Sequence, residues 1–506
     1  MLKLKSIPWP HIRRGFILAI GFIAILWSAR PAQNNLEKVL NEGMLHIAAR
    51  LGPLTYYERD SIPNGLDYNI LAAFADSLGV AVEFRVYDGI NEQLEALDLN
   101  ASLDLASATF SVTEDRLAKY QFSAPYLEVD TLLIQHRDYA RPKNLLEVVE
   151  KGRSIVAVSG TSHTELLREL TETYPELTWE EEAETIMFQL LERVQNKEID
   201  MAVVDSSIFD LEASLFPNVE VALTLERDHP VAFVFAQSSD NSLVDALDEF
   251  LLDFEESGEL DTLLASYLDP EPSINVAGSL LFNRRIDERL PEYEPLFKRV
   301  AKEYDYSWIL LAAQAYQESH WNAKARSPTG VRGLMMLTLP TARELGVNRL
   351  DAIESLEGGM KYLHGLRTRL PEDIIEPDRT KFALAAYNVG YGHVQDARLL
   401  TRRGGDNPNS WTDVQQYLPL LRQKKYYSTT KFGYARGSEP VHYVNNIYRF
   451  ANILDWYAWQ RDIENETLFA DASDSLSTEN TNLENDDALA LPPAVPAPSE
   501  EVSEPN

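Results

Sequence analysis

The chain contains no cysteine. Disulfides, thiolate nucleophiles, cysteine metal centres and a lipid anchor on an acylated N-terminal Cys are therefore excluded. Histidine is scarce, nine residues in 506, scattered and without a His-Glu-x-x-His pair, so no metal site and no cofactor is expected. Basic residues are in deficit: 46 Lys and Arg face 79 Asp and Glu, a formal net charge of -33. A surface of that sign repels a phosphate backbone, which excludes nucleic acid as a partner, and it repels anionic membrane surfaces as well. Part of the deficit is local. No Lys or Arg follows Arg461, while acids recur among Ser, Asn and Pro, so residues 462–506 are expected to form a disordered acidic tail. Long apolar runs are also lacking. The run at 15–27 falls short of the ~20 residues that span a bilayer. Lys3, Lys5, Arg13 and Arg14 precede it, so residues 1–32 read as an export signal. Trp27 before Ala29 and Arg30 before Ala32 make a poor cleavage site, which keeps an uncleaved N-terminal anchor as the alternative. Either way the remainder lies outside the cytoplasm.

What is present suffices for two or three cores. From 33 to 268 strand and helix patterns alternate. Residues 45–50 and 82–87 read as strands, with the helical stripe Ile70, Leu71, Phe74 and Leu78 between them. Residues 155–158 and 201–204 repeat the strand pattern, and 165–170, 185–194 and 243–254 read as helices. The expectation is an α/β domain in two lobes. Asp269-Pro270-Glu271-Pro272 then marks a boundary, because paired prolines stop helices and stiffen a short linker.

Beyond it, residues 269–461 read as mainly α, with helices over 295–304, 308–318, 339–345, 355–370, 380–388 and 443–459. In the second of these, Trp308, Leu311, Ala312, Ala315 and Tyr316 recur at helical spacing until Glu318, Ser319 and His320 break the pattern. Glu318 thus sits at a helix end. The negative pole of the helix dipole and the neighbouring Tyr316 and Trp321 disfavour its ionisation, as a general acid near neutral pH requires.

Glu318-Ser319, the segment Gly330 to Met336, Ala386-Tyr387-Asn388 and the late Tyr443 together resemble the soluble lytic transglycosylase family over residues 280–460, whose catalytic domain shares the goose-type lysozyme fold. Where that family usually has Gly-Leu-Met-Gln, this chain has Gly333-Leu334-Met335-Met336, and a thioether lacks the amide's donors. The resemblance implies a murein-cleaving lyase in which Glu318 is catalytic. Ser319, Met335, Met336, Tyr387, Asn388 and Tyr443 are its substrate-binding candidates: Ser319 as a donor to the acid or the sugar, Asn388 holding the acetamido group, and Tyr443 fixing the acid's geometry. Packing is the competing role for both tyrosines. A lysozyme-like hydrolase using a second acid such as Glu344, and a non-catalytic murein or solute receptor, are the alternatives.

The α/β part carries Ser111 to Arg116, Phe122-Ser123-Ala124-Pro125-Tyr126, Ser159 to Ser162 and Asp205, and over these it resembles type 2 periplasmic solute-binding proteins of the amino-acid-binding kind. The resemblance implies a ligand site in which Arg116 takes a carboxylate. Thr113, Thr161 and Ser162 supply hydroxyls and helix N-terminal amides, and Asp205 takes an ammonium. The plainer roles are a helix cap for Thr113 and a surface ion pair for Arg116. Tyr56 or Tyr57 is a stacking candidate. The expected partners are peptidoglycan, an amino acid or muropeptide in the first domain, and the membrane periphery. The expected location is the periplasmic side of the envelope, peripheral to the outer membrane.

Overall fold

The computed structural model describes residues 33–486, apart from Asp60, Glu184, 213–214 and 269–275. The export segment 1–32, the proline boundary and the end of the acidic tail lie outside the described residues.

Eleven strands are described in the α/β part: β1 (Met44–Ala49), β2 (Tyr57–Arg59), β3 (Ile62–Asn64), β4 (Ala81–Val86), β5 (Leu105–Ser111), β6 (Tyr120–Phe122), β7 (Leu127–His136), β8 (Ile155–Val158), β9 (Trp179–Glu182), β10 (Met201–Asp205) and β11 (Val219–Ala236). The main sheet runs β4-β1-β5-β11-β7-β10-β8-β9, with β6 on the end of β11. Two separate apolar cores confirm two lobes. One joins Ala48, Leu94, Phe110 and Val234; the other joins Leu133, Ile155, Leu167 and Met201. Pairs β1–β4, β1–β5, β8–β10 and β8–β9 are parallel. Each therefore needs a crossover, which the intervening helices supply.

The lobes are joined by the antiparallel pair β7 and β11, which no expected element anticipates. Its register shifts three times between Val221 and His229, and Asp228 takes φ +56. Bulges of this kind kink and twist a strand, so β11 serves the second lobe with its start and the first lobe with its end. Asp228-His229-Pro230 reads as a breaker in sequence because proline is normally excluded from strand interiors. It is tolerated here where the pairing is irregular.

The helical part comprises Val276–Glu288, Leu290–Glu303, Trp308–Ser319, Leu339–Leu345, Ala352–Arg369, Asp378–Val389, Tyr391–Gly404, Trp411–Tyr417, Lys424–Tyr427 and the first turns of Ser438–Asp486. All six expected helices are present. Tyr391–Gly404 is an additional one, hidden because Gly390 and Gly392 read as a break; Gly390, at φ +94, ends one helix and begins the next. The core is aromatic: Phe282 lies 4.5 Å from Tyr316 and 5.0 Å from Phe450, ring centre to ring centre.

The two parts touch. Thr262 accepts from Gln415 Nε2 at 2.8 Å, Asn452 Nδ2 donates to the Ser266 carbonyl at 2.8 Å, and the Arg59 guanidinium lies 5.6 Å from the Trp308 ring centre. The disordered tail expected from 462 is helical through Asp486. That stretch contains no Gly or Pro and includes helix-favouring Glu, Leu and Ala. From Asp455 onward the chain is a separate unit, in which Trp456 and Trp459 stack at 4.7 Å.

Phe282 is fully buried at the centre of the aromatic core. Phe282→Ala is expected to cost about 3–5 kcal/mol, read as a lowered denaturant midpoint. A loss below 1 kcal/mol would show that this cluster does not hold the helical part together.

Candidate active site

Ser307 opens the helix Trp308–Ser319, its side chain accepting from the Leu310 amide. Eleven residues on, the helix ends at a tight reversal. His320 and Trp321 both take left-handed φ, +52 and +53, and the turn drives the Trp321 ring under the helix, where its Nε1 donates to the Ala312 carbonyl at 2.8 Å. Glu318 is thereby held one residue from the helix end. The residue is half-buried, leaving an edge for substrate to approach.

The Tyr443 hydroxyl donates to Glu318 Oε1 at 2.5 Å. Burial pushes the Glu318 carboxyl from its ordinary 4.5 up to about 7, with the Tyr443 hydrogen bond pulling the other way. The direction is the expected one, and burial is its cause. Tyr316 and Trp321 pack with Phe282 in the core, whereas Tyr443 and Tyr387 face the carboxyl. Burial raises the pKa of both tyrosines well above 10, and the Glu318 charge raises it further, so both stay protonated donors.

The glycine turn is tied to this centre through backbone. Ser319 Oγ donates to the Leu334 carbonyl at 2.7 Å and accepts from the Asn322 amide at 3.2 Å. Both its hydrogen-bonding directions are used, and the residue is buried; the expected role as donor to acid or sugar is corrected to that of a clamp between helix end and turn. Gly333 takes φ +89, and a Cβ there would lie 1.8 Å from the Arg349 carbonyl, so glycine is required. Met335 is fully buried with its side chain against Gly359. A sugar contact by this thioether is corrected to packing, and its carbonyl instead receives the Tyr387 hydroxyl at 2.9 Å. Met336 is half-buried at φ +46, and Asn388 is exposed at the end of Asp378–Val389; both are open to a substrate. Glu344 is exposed, and its charge is felt at Tyr362, which packs edge-on against Tyr387.

Sequence reasoning missed Gln314, whose Nε2 donates to the Tyr443 oxygen at 3.2 Å. The available signal was a lone amide in an apolar helix, four residues before Glu318 and so on the same face.

In the α/β part, Arg116, Thr161, Ser162 and Asp205 line one pocket, and Arg116 also borders a larger one with Ser159, Gly160 and Glu165. Each charge already has a partner. Arg116 Nη1 donates to the Ser111 carbonyl and Nη2 to the Gly160 carbonyl, both at 2.9 Å, and Glu165 lies 3.7 Å from its Nε. Asp205 Oδ1 is 2.9 Å from Nε2 of the fully buried His163. His163 was also missed, although it falls on the stripe His163, Leu166, Leu167, Leu170. Thr161 Oγ1 donates to the Val158 carbonyl at 2.7 Å, and Thr113 caps the turn carrying Arg116. Tyr57 is core and Tyr56 stacks on Phe84 at 4.7 Å, so neither stands in this cavity as a stacking platform.

A bilobal α/β fold joined to a helical domain that holds Glu318 against Tyr443 at a helix end defines a solute-binding module fused to a transglycosylase domain. Two family models match in that order: bacterial extracellular solute-binding proteins, family 3, over residues 45–270, and the transglycosylase SLT domain over 295–409. A membrane-bound lytic murein transglycosylase F of Saccharophagus degradans is 42% identical over 91% of this chain and 90% of its own. One of Stutzerimonas stutzeri is 40% identical over 90% and 93%. The crystal structure of the ancestral amino acid-binding protein AncCDT-1 aligns with 47% of this chain and all of its own, at 20% identity and a TM-score of 0.41. The chain belongs to the membrane-bound lytic murein transglycosylase F family.

A carboxyl whose folded pKa lies above its unfolded one adds no cost below pH 4.5; stability is lost as pH rises from 4.5 through 7, to an upper bound of about 3 kcal/mol. Glu318→Gln does not titrate. It is expected to raise the melting temperature over wild type at pH 8 and to lose that advantage at pH 4. An equal increment at both pH values would contradict the desolvated carboxyl.

Proposed function

We propose that this chain cleaves the β-1,4 bond between N-acetylmuramic acid and N-acetylglucosamine in murein, leaving a 1,6-anhydromuramic end, with Glu318 as sole acid and base. The observation that carries the reading is one carboxyl held near pH 7 and fixed by Tyr443. Among the described residues no second carboxylate shifts its pKa or hydrogen-bonds to it. Glycosidases that activate water use two carboxyl groups, and a reaction that consumes no water has no use for the second. Glu318 first gives its proton to the glycosidic oxygen as the C1–O bond breaks. As carboxylate it then takes the proton of the muramic 6-hydroxyl, whose oxygen closes on C1. The substrate's acetamido group shields the cationic C1 between the steps, with Asn388 exposed beside it.

Digestion of purified sacculi is expected to yield muropeptides lighter by one water than lysozyme products. Glu318→Gln is expected to reduce their formation by at least ~10²- to 10⁴-fold while murein binding persists. Hydrolytic products, or near wild-type activity in the folded variant, would overturn the reading and point to Glu344 or another acid.

We infer in addition that residues 33–268 bind an amino acid or a murein peptide fragment and adjust the enzyme, and that residues 269–461 form the catalytic domain. Residues 1–32 then place the chain on the periplasmic side of the envelope, peripheral to the outer membrane. Among the described residues no helix is long and apolar enough to cross a membrane. Arg116 already holds two carbonyls and Asp205 already holds His163, so a ligand binding there has to displace these bonds. Calorimetry against amino acids and muropeptides is expected to find a ligand whose affinity falls ~10- to 100-fold in Arg116→Ala, the loss of a charge-assisted contact. Undiminished binding in that variant, or binding that leaves the rate unchanged, contradicts the regulatory role.

A further inference from the structure

Gln314 is fully buried in the run Ile309, Leu311, Ala312, Ala313, Ala315, Tyr316, every member of which is buried too. An amide in such a place costs free energy unless its hydrogen bonds are made. Only half of them are: Nε2 donates to the Tyr443 oxygen at 3.2 Å, and Oε1 has no partner among the described residues. A leucine or methionine of similar volume would fill the space without that cost. Packing therefore does not account for the residue, and its contact with Tyr443 does.

We propose that Gln314 is a positioning residue for the reaction: it fixes the direction of the Tyr443 hydroxyl proton, and through it decides which oxygen of Glu318 carries the acidic proton. The inference rests on Glu318 being the acid. A phenol has one proton to give and lone pairs to receive. With an amide N–H of Gln314 directed at its oxygen, Tyr443 turns its own proton onto Glu318 Oε1, 2.5 Å away.

Two consequences follow. When Glu318 is ionised, N–H to O–H to carboxylate is a head-to-tail chain in which each bond strengthens the next. When Glu318 is protonated, Oε1 is already receiving a proton from Tyr443, so the acidic proton resides on Oε2, available to the glycosidic oxygen. Without the Gln314 N–H, Tyr443 is free to turn and accept from Glu318. The acid's proton is then drawn inward onto Oε1, away from the bond to be broken.

The other ionisable groups around the carboxyl do not supply this direction. Tyr387, on the helix Asp378–Val389, gives its proton to the Met335 carbonyl. Behind it stand Tyr362 and the exposed Glu344. Arg285 and Arg289 act on His320 in the following turn.

The test is Gln314→Met, which keeps the volume and removes the N–H, in the wild-type and Tyr443→Phe backgrounds, followed as anhydro-product formation from sacculi across pH. In the wild-type background the rate at the optimum is expected to fall roughly tenfold, the scale of one buried hydrogen bond. The basic limb of kcat/KM, which reports loss of the protonated acid, is expected to move up by about half a pH unit or more, because the anion loses its polarised donor and the neutral acid gains an acceptor. In the Tyr443→Phe background the same substitution is expected to leave the limb in place, since the relay is already broken. A limb that stays put in the first background, or moves equally in both, overturns the proposal. Glu318→Gln on the same substrate separates the two levels: activity retained there defeats the assignment of the acid, whereas activity lost there with an unmoved limb in Gln314→Met defeats only the role of Gln314.

Discussion

Taking one carboxyl out of water without giving it a counter-charge is the constraint around which the helical part is built. A buried carboxylate with a cationic partner stays ionised; one with none is pushed toward its neutral form. Among the described residues Glu318 has one donor, the neutral Tyr443, and the balance of desolvation against that bond leaves it at about 7. A lysine or arginine in that position would hold it as an anion, able to act as base but not as acid. With no donor at all it would remain an acid and lose the means to stabilise the carboxylate it must become. Poise near neutrality suits the acid-then-base role proposed for this group.

Holding that balance requires that the surroundings not relax, and the turn chemistry serves this. The helix end is locked by Ser319 to Leu334, the glycine turn packs on the segment 349–359 through Gly333 against the Arg349 carbonyl and Met335 against Gly359, and Tyr387 closes the ring on the Met335 carbonyl. Four sequence-distant segments are joined by backbone acceptors and close packing rather than by side chains pointing at the substrate. That explains why several candidate binding residues turned out to be supports.

How far the sequence could be read follows from which interactions are local. The acid helix and its end were legible because apolar spacing and its interruption are written in consecutive residues. The strands β8 and β10 were legible as buried apolar runs. The β7–β11 pair was not, since its pairing is long-range and its irregular middle, with Pro230, imitates a loop. Within the site, Glu318 and Tyr443 were found, but the inward direction of the Ser319 and Met335 side chains was not. Direction depends on the left-handed residues His320, Trp321 and Met336, and nothing in their identities announces a positive φ. His163 and Gln314 were passed over because a polar residue on an apolar face usually carries a packing or solvent explanation. Each instead faces an ionisable partner from another segment.

The same distinction governs the first domain. Its ligand candidates converge, yet they already hold other groups of the protein: Arg116 two carbonyls, one of which, Gly160, follows β8, and Asp205 the His163 ring. Under the proposed ligand role, a ligand entering there has to replace these bonds, so only its excess affinity for the form that admits it shifts the equilibrium. Under the proposed regulation such a shift would have a short route to Glu318, because Arg59 of the α/β part lies over Trp308, the first residue of the helix whose penultimate residue is Glu318. A helix is stiff along its axis, so displacement at Trp308 is carried to the other end with little loss. At that end the 2.5 Å contact with Tyr443 is the least tolerant of movement, because hydrogen-bond strength falls steeply with distance and angle.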